Sequence, residues 1–186
     1  MIEVSAETIE RVEALLAGVP KGAERALSNA MNRGLSKMKT GAAKKVREVY
    51  AVQSSAINEA TNTRIQKAST GNLAGYIHFS GYKIPLYKFK VTPKAPGVRK
   101  QVTAAVKKGG GTAFENAFIA QMKSGHIGVF ERETSKRLPV EEKMGLAMAQ
   151  MVGNLNVMSE LEKEAQKTVD ERIVHEIDRL LNGYGG

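Results

Sequence analysis

The fold is decided by residues 20–50, PKGAERALSNAMNRGLSKMKTGAAKKVREVY. Apolar residues recur in this stretch at intervals of 4, 4, 3, 4, 4 and 3 residues, a mean of about 3.7, which is close to the period of an α-helix. They span about 100° of arc on a helical projection, so one face of a long helix is predicted to pack into the core. The seven residues are Leu27, Met31, Leu35, Met38, Ala42, Val46 and Val49.

This predicted helix also has a basic face and two interior glycines. The cations Arg33, Lys37, Lys44 and Arg47 fall within about 80° of arc on the side opposite the apolar residues. A glycine in a helix interior costs about 1 kcal/mol relative to alanine. A closely approaching neighbour or a local bend is therefore expected at the glycines. They are Gly34 and Gly41.

After this helix, residues 63–132 are predicted to be mostly β. β-branched and aromatic residues alternate with polar ones in this segment, which indicates about five strands. Two interruptions rich in Gly, Pro and Lys predict flexible loops near residues 92–100 and 107–112. A hairpin is predicted around residues 123–125, between two apolar runs.

Both ends of the chain are predicted to be helical. Residues 1–62 are assigned to helices, the first of them capped by Ser5. Residues 141–182 return to helical spacing and place pairs such as Arg172 and Glu176 on an exposed face. Because helices and strands are segregated, we expect an α+β fold in a single domain, residues 1–186. Long N-terminal and C-terminal helices would pack on a mostly antiparallel sheet.

Positive charge is concentrated in the middle of the chain. The sequence has 28 Lys and Arg against 19 Asp and Glu, and residues 19–110 hold 18 of these basic residues and three of the acidic ones. Such an excess predicts a nucleic acid or an acidic protein surface as partner, with simple solvation as the alternative. The candidate assembly or polyanion surface comprises Arg33, Lys37, Lys44, Arg47, Lys88, Lys90, Lys107 and Lys108.

The composition argues against secreted and membrane-bound classes of protein. Cysteine is absent, so no disulfide framework, thiolate nucleophile or Cys-based zinc site is possible. The N-terminal residues lack a basic region followed by an apolar segment, and no run of 18 apolar residues follows. We therefore expect neither a secretion signal nor contact with a membrane.

No catalytic, metal or cofactor site is predicted. The spacing around His78, His126 and His175 does not match a metal-ligand pattern. Gly109–Gly111 does not complete a phosphate-loop motif and predicts a hairpin turn instead. A hydrolase built on Ser124 and His126 would need a third member and an oxyanion motif, so a turn role for His126 is the favoured interpretation.

The region downstream of the second loop resembles a family of phage proteins. Residues 113–132, AFENAFIAQMKSGHIGVFER, followed by LPV at 138–140 and GLAM at 145–148, are similar to the prophage minor tail protein Z family. GYKIPL at 81–86, Phe89 and the long second helix fit the same pattern. The likeness covers most of residues 20–155.

The resemblance implies a structural virion protein of a phage or prophage tail with no enzymatic activity, cofactor or small-molecule substrate. It would complete the tail at its head-proximal end, in head–tail joining, by stoichiometric binding to other tail or neck proteins. Assembly in the host cytoplasm and a homo-oligomeric ring are further implications. The matching residues are expected to shape the fold, as turn and packing positions. They are Phe114, Phe118, Gly125, His126, Gly128, Phe130 and Arg132.

A second class of function stays open at this point. The basic middle is also compatible with a small DNA-associated protein that binds the phosphate backbone without sequence specificity. No helix-turn-helix or other base-reading motif accompanies the charge, so specific readout is not expected. Within the tail-protein interpretation, non-specific contact with the end of packaged DNA is a subsidiary expectation.

Overall fold

The computed structural model describes residues 3–183. No helix in this range is both long and apolar enough to cross a membrane. The helices are α1 Ala6–Leu15, α2 Gly22–Val49, α3 Ser54–Ala60, α4 Met148–Val152 and α5 Leu155–Leu181. The strands are β1 Thr61–Gln66, β2 Tyr76–Gly81, β3 Lys83–Pro85, β4 Lys90–Thr92, β5 Val102–Ala105, β6 Thr112–Phe114, β7 Ala117–Gln121, β8 Ile127–Arg132, β9 Val140–Glu142 and β10 Met144–Ala147.

The predicted α+β class is confirmed, but the strands do not form one sheet. They form four small sheets within residues 3–183, ordered β1–β2, β3–β10, β4–β5–β6 and β7–β8–β9. Within the segment predicted to be mostly β, a 3-10 turn at Leu86–Lys88 separates β3 from β4. Pro85 has no N–H to donate to a ladder, and the next amide, that of Leu86, donates to the carbonyl of Lys143 (2.9 Å).

The long helix α2 follows the predicted periodicity. Of its seven apolar positions, Met31 and Val49 are half-buried and the other five are buried. At Gly41, a Cβ atom would lie 3.4 Å from Cδ2 of Leu161 on α5. This is an ordinary van der Waals distance, so the expected close approach at the interior glycines stays a prediction.

The chain divides into two compact units. The first unit comprises residues 1–42, 63–78 and 155–186, and the second comprises residues 43–62 and 79–154. Each unit is built from segments that are distant in sequence. The single domain that chain length predicts stays a prediction.

The core of the first unit lies between α1, α2 and α5. Ser5 caps α1, since its hydroxyl accepts from the amide of Thr8 (3.2 Å). The Asn32 side chain on α2 donates to the carbonyl of Ala68 (2.9 Å) and accepts from its amide (2.8 Å), which fixes the connection between β1 and β2. The cluster of buried residues comprises Val12, Leu16, Ala26, Leu27, Ala30, Val169, Ile173, Ile177 and Leu180.

The second unit contains the sheets β4–β5–β6 and β7–β8–β9. Their inward residues are almost completely buried, for example Val91, Val102 and Val129. β7 and β8 pair from Ala117↔Glu131 to Gln121↔Ile127, so the hairpin predicted around residues 123–125 is confirmed.

The prediction that residues 141–182 are helical is wrong at its beginning. β9 and β10 occupy this region, and the long helix α5 starts only at Leu155. β10 pairs with β3, far away in sequence, and Gly145 lies against the ring of Phe89, where a Cβ atom would overlap the ring. The glycine therefore serves the close approach of a strand to a buried ring, which helical spacing does not reveal.

We predict that Gly81→Ala destabilises the protein by about 2 kcal/mol or more. Gly81 has φ +149°, and a Cβ atom there would overlap the carbonyl oxygen of Ala60, which accepts from the amide of Tyr82 (3.2 Å). Urea denaturation measures the effect. The matched control is Gly71→Ala, since no atom lies within 4 Å of the added Cβ. Equal midpoints for the two variants would contradict the prediction.

Candidate binding surfaces

The structure separates the eight predicted surface cations into two groups. Arg33 and Lys37 lie in the first unit, and the other six lie in the second. We call these six the basic cluster. Lys88 is half-buried and the other five are exposed. The basic cluster comprises Lys44, Arg47, Lys88, Lys90, Lys107 and Lys108.

Backbone hydrogen bonds bring the segments of the basic cluster together at the end of α2. The amide of Lys108 donates to the carbonyl of Val49 (2.9 Å), and the amide of Ala51 donates to the carbonyl of Val106 (2.9 Å). The amide of Gln53 donates to the carbonyl of Lys88 (2.9 Å). The C-terminal end of α2, the β5–β6 turn and the 3-10 turn are thus held side by side by main-chain contacts.

The cations of the basic cluster have no acidic partner in their own chain within residues 3–183. Glu48, the acidic residue next to Arg47 in sequence, instead forms an ion pair with Lys45 (3.5 Å). Lys90 and Lys108 line a cleft of about 490 Å³ whose other walls are alanine and glycine, with no carboxylate. This surface can attract an anionic group without first breaking an internal ion pair.

The glycine run beside the basic cluster forms a hairpin turn, as predicted. β5 and β6 pair antiparallel on either side of it, from Val102↔Phe114 to Ala104↔Thr112. Gly109 takes φ +78°, in the left-handed region that glycine favours. The run links two strands and does not lead into a helix, so the context that a phosphate-binding loop requires is missing.

Arg33 and Lys37 line a second surface, a groove of about 490 Å³ between α2 and α5. Lys37 forms an ion pair with Glu164 (3.8 Å), and Arg172, His175 and the carboxylate of Glu171 also line the groove. Charges of both signs therefore meet in it. This groove is a weaker candidate for a polyanion than the basic cluster.

Beside this groove, Glu176 is completely buried, although its pairing with Arg172 was expected on an exposed face. Glu176 forms ion pairs with Arg172 and Arg179 and accepts a hydrogen bond from Nδ2 of Asn29 on α2 (3.1 Å). Burial raises the pKa of Glu176. Hydrogen bonds from Asn29 and Arg179 and the charges of Arg172 and Arg179 outweigh that effect, so the pKa lies below its ordinary value.

The residues that carry the family pattern lie mostly on β7 and β8. Phe118 and Phe130 are directly paired across these strands, with ring centroids 6.2 Å apart. The guanidinium carbon of Arg132 lies 4.6 Å from the centroid of the Phe118 ring. Phe114 is half-buried on β6, and Gly125 has φ +85° in the turn between β7 and β8. These are turn and packing positions, and the structural role expected for them stays a prediction.

Charged groups on this sheet are paired with each other. His126 Nε2 lies 2.8 Å from Glu142 Oε1 on β9, and Lys143 forms an ion pair with Glu131. The hydrogen bond with Glu131 raises the pKa of Lys143. In residues 3–183 no hydrogen bond joins His126 to Ser124, so these two residues do not form a nucleophile–base pair. The Ser124–His126 hydrolase interpretation therefore has no support in the geometry.

The same part of the chain, residues 3–183, contains no group of three or more His, Asp or Glu residues that could hold a metal ion. His78 is exposed on β2, and His175 is exposed on α5. The candidate sites in the described residues are therefore charged and aromatic surfaces.

The chain is thus an α+β protein that presents charged surfaces. The chain belongs to the prophage minor tail protein Z (GPZ) family, whose sequence model matches residues 8–184. A search of curated proteins and a search of solved structures each found no match. Membership confirms the resemblance seen in the sequence and gives the chain a structural role in a phage tail, with other phage structural proteins as partners.

We predict that Glu176→Gln destabilises the protein by about 1–3 kcal/mol at neutral pH, because two arginines lose their buried anion. The pKa of Glu176 is lowered in the folded state, so its contribution is complete above the unfolded value of about 4.3 and is lost as pH falls through the lower folded value. Thermal unfolding of wild type and Glu176→Gln should be measured from neutral pH into the acid range. The difference in stability between them should shrink only at the acid end.

The matched control for this measurement is Glu171→Gln, on the same helix. The side chain of Glu171 is 68% exposed and contacts only Lys167 at 3.8 Å among the ion pairs of the described residues. We expect a change within about 0.5 kcal/mol. If the stability of Glu176→Gln fell with decreasing pH just as that of wild type does, the buried ion-pair interpretation would be wrong.

We also predict that Gly128→Ala destabilises the β7–β8–β9 sheet by about 1–3 kcal/mol. The added Cβ would lie 2.6 Å from Oε1 of Glu142 and 3.0 Å from the ring of Phe130. Glu142 would have to move away from His126, so the NMR chemical shifts of the His126 ring should change as well. Gly111→Ala, which places its Cβ in open space, is the control. Unchanged chemical shifts of the His126 ring in a destabilised Gly128 variant would refute the proposed displacement.

Proposed function

We propose that this tail protein acts at the head-proximal end of the tail, as a completion protein in head–tail joining. It works by stoichiometric binding to neighbouring tail or neck proteins, after assembly in the host cytoplasm, and uses no enzymatic activity, cofactor, metal or small-molecule substrate. Membership of a minor tail protein family supports this proposal. The basic cluster is the structural observation that carries it.

The basic cluster is suited to protein docking for two reasons. Its segments are fixed to one another through main-chain hydrogen bonds, so little backbone entropy is lost when a partner binds. Its cations have no acidic partner within the described chain, so they are available to complement an acidic surface. Electrostatic complementarity of this kind speeds encounter and fixes orientation more than it adds affinity.

We expect the triple variant Lys88→Glu, Lys90→Glu, Lys108→Glu to abolish head–tail joining. Heads and tails made without this protein would be mixed with purified wild type or variant, and joined particles counted by electron microscopy. A control with the same change in net charge is Lys123→Glu, Lys136→Glu, Arg137→Glu, all at exposed positions outside the basic cluster. The control should join particles as wild type does.

The same assay tests whether binding is stoichiometric. The yield of joined particles should saturate at a fixed number of protein copies per particle, whereas a catalyst would act well below that number. Full activity in the Lys88, Lys90 and Lys108 variant would rule out the basic cluster as the docking surface. Normal joining in the complete absence of the protein would refute the function itself.

The second candidate function is non-specific binding to DNA phosphates, which the unpaired cations also favour. Purified protein would then bind duplex DNA with submicromolar affinity, and log K would fall linearly with log of the salt concentration. If the protein comigrates with tails but leaves DNA unbound, the tail-joining proposal stands and this alternative fails.

A further inference from the structure

One face of α1 carries a stripe of carboxylates that have no partner in the described part of the chain. Glu7, Glu10 and Glu13 are exposed and lie within about 120° of arc at 100° per residue, on the side away from Val12 and Leu16, which are buried. None of the three glutamates has an ion pair or a side-chain hydrogen bond within residues 3–183. We call these three the acidic stripe.

The acidic residues of α5 differ from the acidic stripe because most of them have partners. Glu164 pairs with Lys37, Glu171 pairs with Lys167, and Glu176 pairs with two arginines. Asp170 accepts a hydrogen bond from Gln166 (3.0 Å). The chain therefore neutralises much of the negative charge of its C-terminal helix internally and leaves that of α1 free.

The described chain thus has two unpaired surfaces of opposite sign. The acidic stripe lies on a regular helix, where three carboxylates cover about 9 Å of its length. The basic cluster offers six cations, and two of them, Lys90 and Lys108, line a cleft without a carboxylate. A nucleic acid would supply negative charge to the basic cluster but would not bind the acidic stripe. A second copy of the same chain offers an opposite charge to each of the two surfaces.

We propose that the acidic stripe of one copy docks on the basic cluster of a second copy. This inference rests on the proposed function, for it names one of the acidic partners of the basic cluster. The two surfaces are different parts of the chain, so the contact is head-to-tail, and repetition of it closes a ring if the rotation permits. Exposed ion pairs are individually weak and are screened by salt, so the contact forms most readily at the high local concentration of an assembling tail end.

The first test is zero-length carbodiimide cross-linking, which joins a carboxylate to an amine in direct contact. An equal mixture of unlabelled and ¹⁵N-labelled full-length protein distinguishes links between copies from links within a chain. We expect mixed-isotope links between Glu7, Glu10 or Glu13 and the lysines of the basic cluster. They should decline at least about tenfold between low salt and about 0.5 M salt. Links found only within single chains, or none at either salt concentration, would overturn the inference.

The second test exchanges the charges. Variant A carries Glu7→Lys, Glu10→Lys and Glu13→Lys. Variant B carries Glu at all six positions of the basic cluster: Lys44→Glu, Arg47→Glu, Lys88→Glu, Lys90→Glu, Lys107→Glu and Lys108→Glu. Each alone brings like charges together, so self-association measured by sedimentation should weaken by about tenfold or more. An equal mixture of A and B restores opposite charges at every contact and should associate again. No association in the mixture would overturn the inference.

Controls separate this inference from charge in general and from the proposed function. Glu115→Lys, Glu133→Lys and Glu141→Lys changes net charge as variant A does, at exposed positions elsewhere, and should associate as wild type. Unchanged circular dichroism melting establishes that A and B are folded. If head–tail joining depends on the basic cluster while mixed-isotope links are absent, the homotypic contact is wrong and the proposed function stands. Duplex DNA binding that requires Lys88, Lys90 and Lys108, without self-association, would assign the cluster to DNA.

Discussion

The need to bury one face of α2 along its whole length is the constraint on which the other elements depend. The helix has 28 residues, and its apolar positions recur at the helical period from one end to the other. In the first unit Leu27 and Leu35 are buried in this way, and in the second Val46 is buried. Helices in folded proteins gain most of their stability from such burial, so the neighbouring segments must pack against this face.

The end of α2 imposes a second requirement, which creates the basic cluster. The last carbonyl groups of a helix have no partner within it and must be satisfied from outside. The amide of Tyr50 donates to the carbonyl of Val46 (2.7 Å), and the amide of Lys108 donates to the carbonyl of Val49. A turn rich in lysine is therefore held at the helix C-terminus, where cations interact favourably with the helix dipole. The backbone requirement and the positive charge reinforce each other at this point.

Local patterns predicted the elements that local interactions specify. Spacing along the chain was enough for α2 and for the hairpin between β7 and β8. It failed where a distant segment decides the outcome. Gly145 is in a strand because Phe89 and β3 approach it, and Glu176 is buried because Asn29 reaches it from α2. From the sequence alone, an oppositely charged pair at i and i+4 predicts an exposed helix face. Only the fold shows that another helix covers it.

For the basic cluster too, the sequence shows which residues are basic but not which of them lie together. The individual cations could be identified from the sequence, because residue type and position do not depend on the fold. Their grouping was not visible, since Lys88, Lys90 and Lys108 join Arg47 only through main-chain contacts between segments about 40 to 60 residues apart. Arg33 and Lys37 share the predicted basic face of α2, yet they meet a mixed groove with acidic residues.

The distribution of paired and free charges gives the surfaces their different roles. Glu176, with two arginines and an asparagine, fixes α5 against α2, because a buried anion tolerates few other arrangements. Exposed charges without partners stabilise the monomer little, and like charges gathered in one place repel each other. A chain that pairs its acidic residues on α5 but keeps six cations together at the end of α2 therefore accepts a small cost in the isolated state. Binding of an anionic surface to the basic cluster, as proposed, would offset that cost.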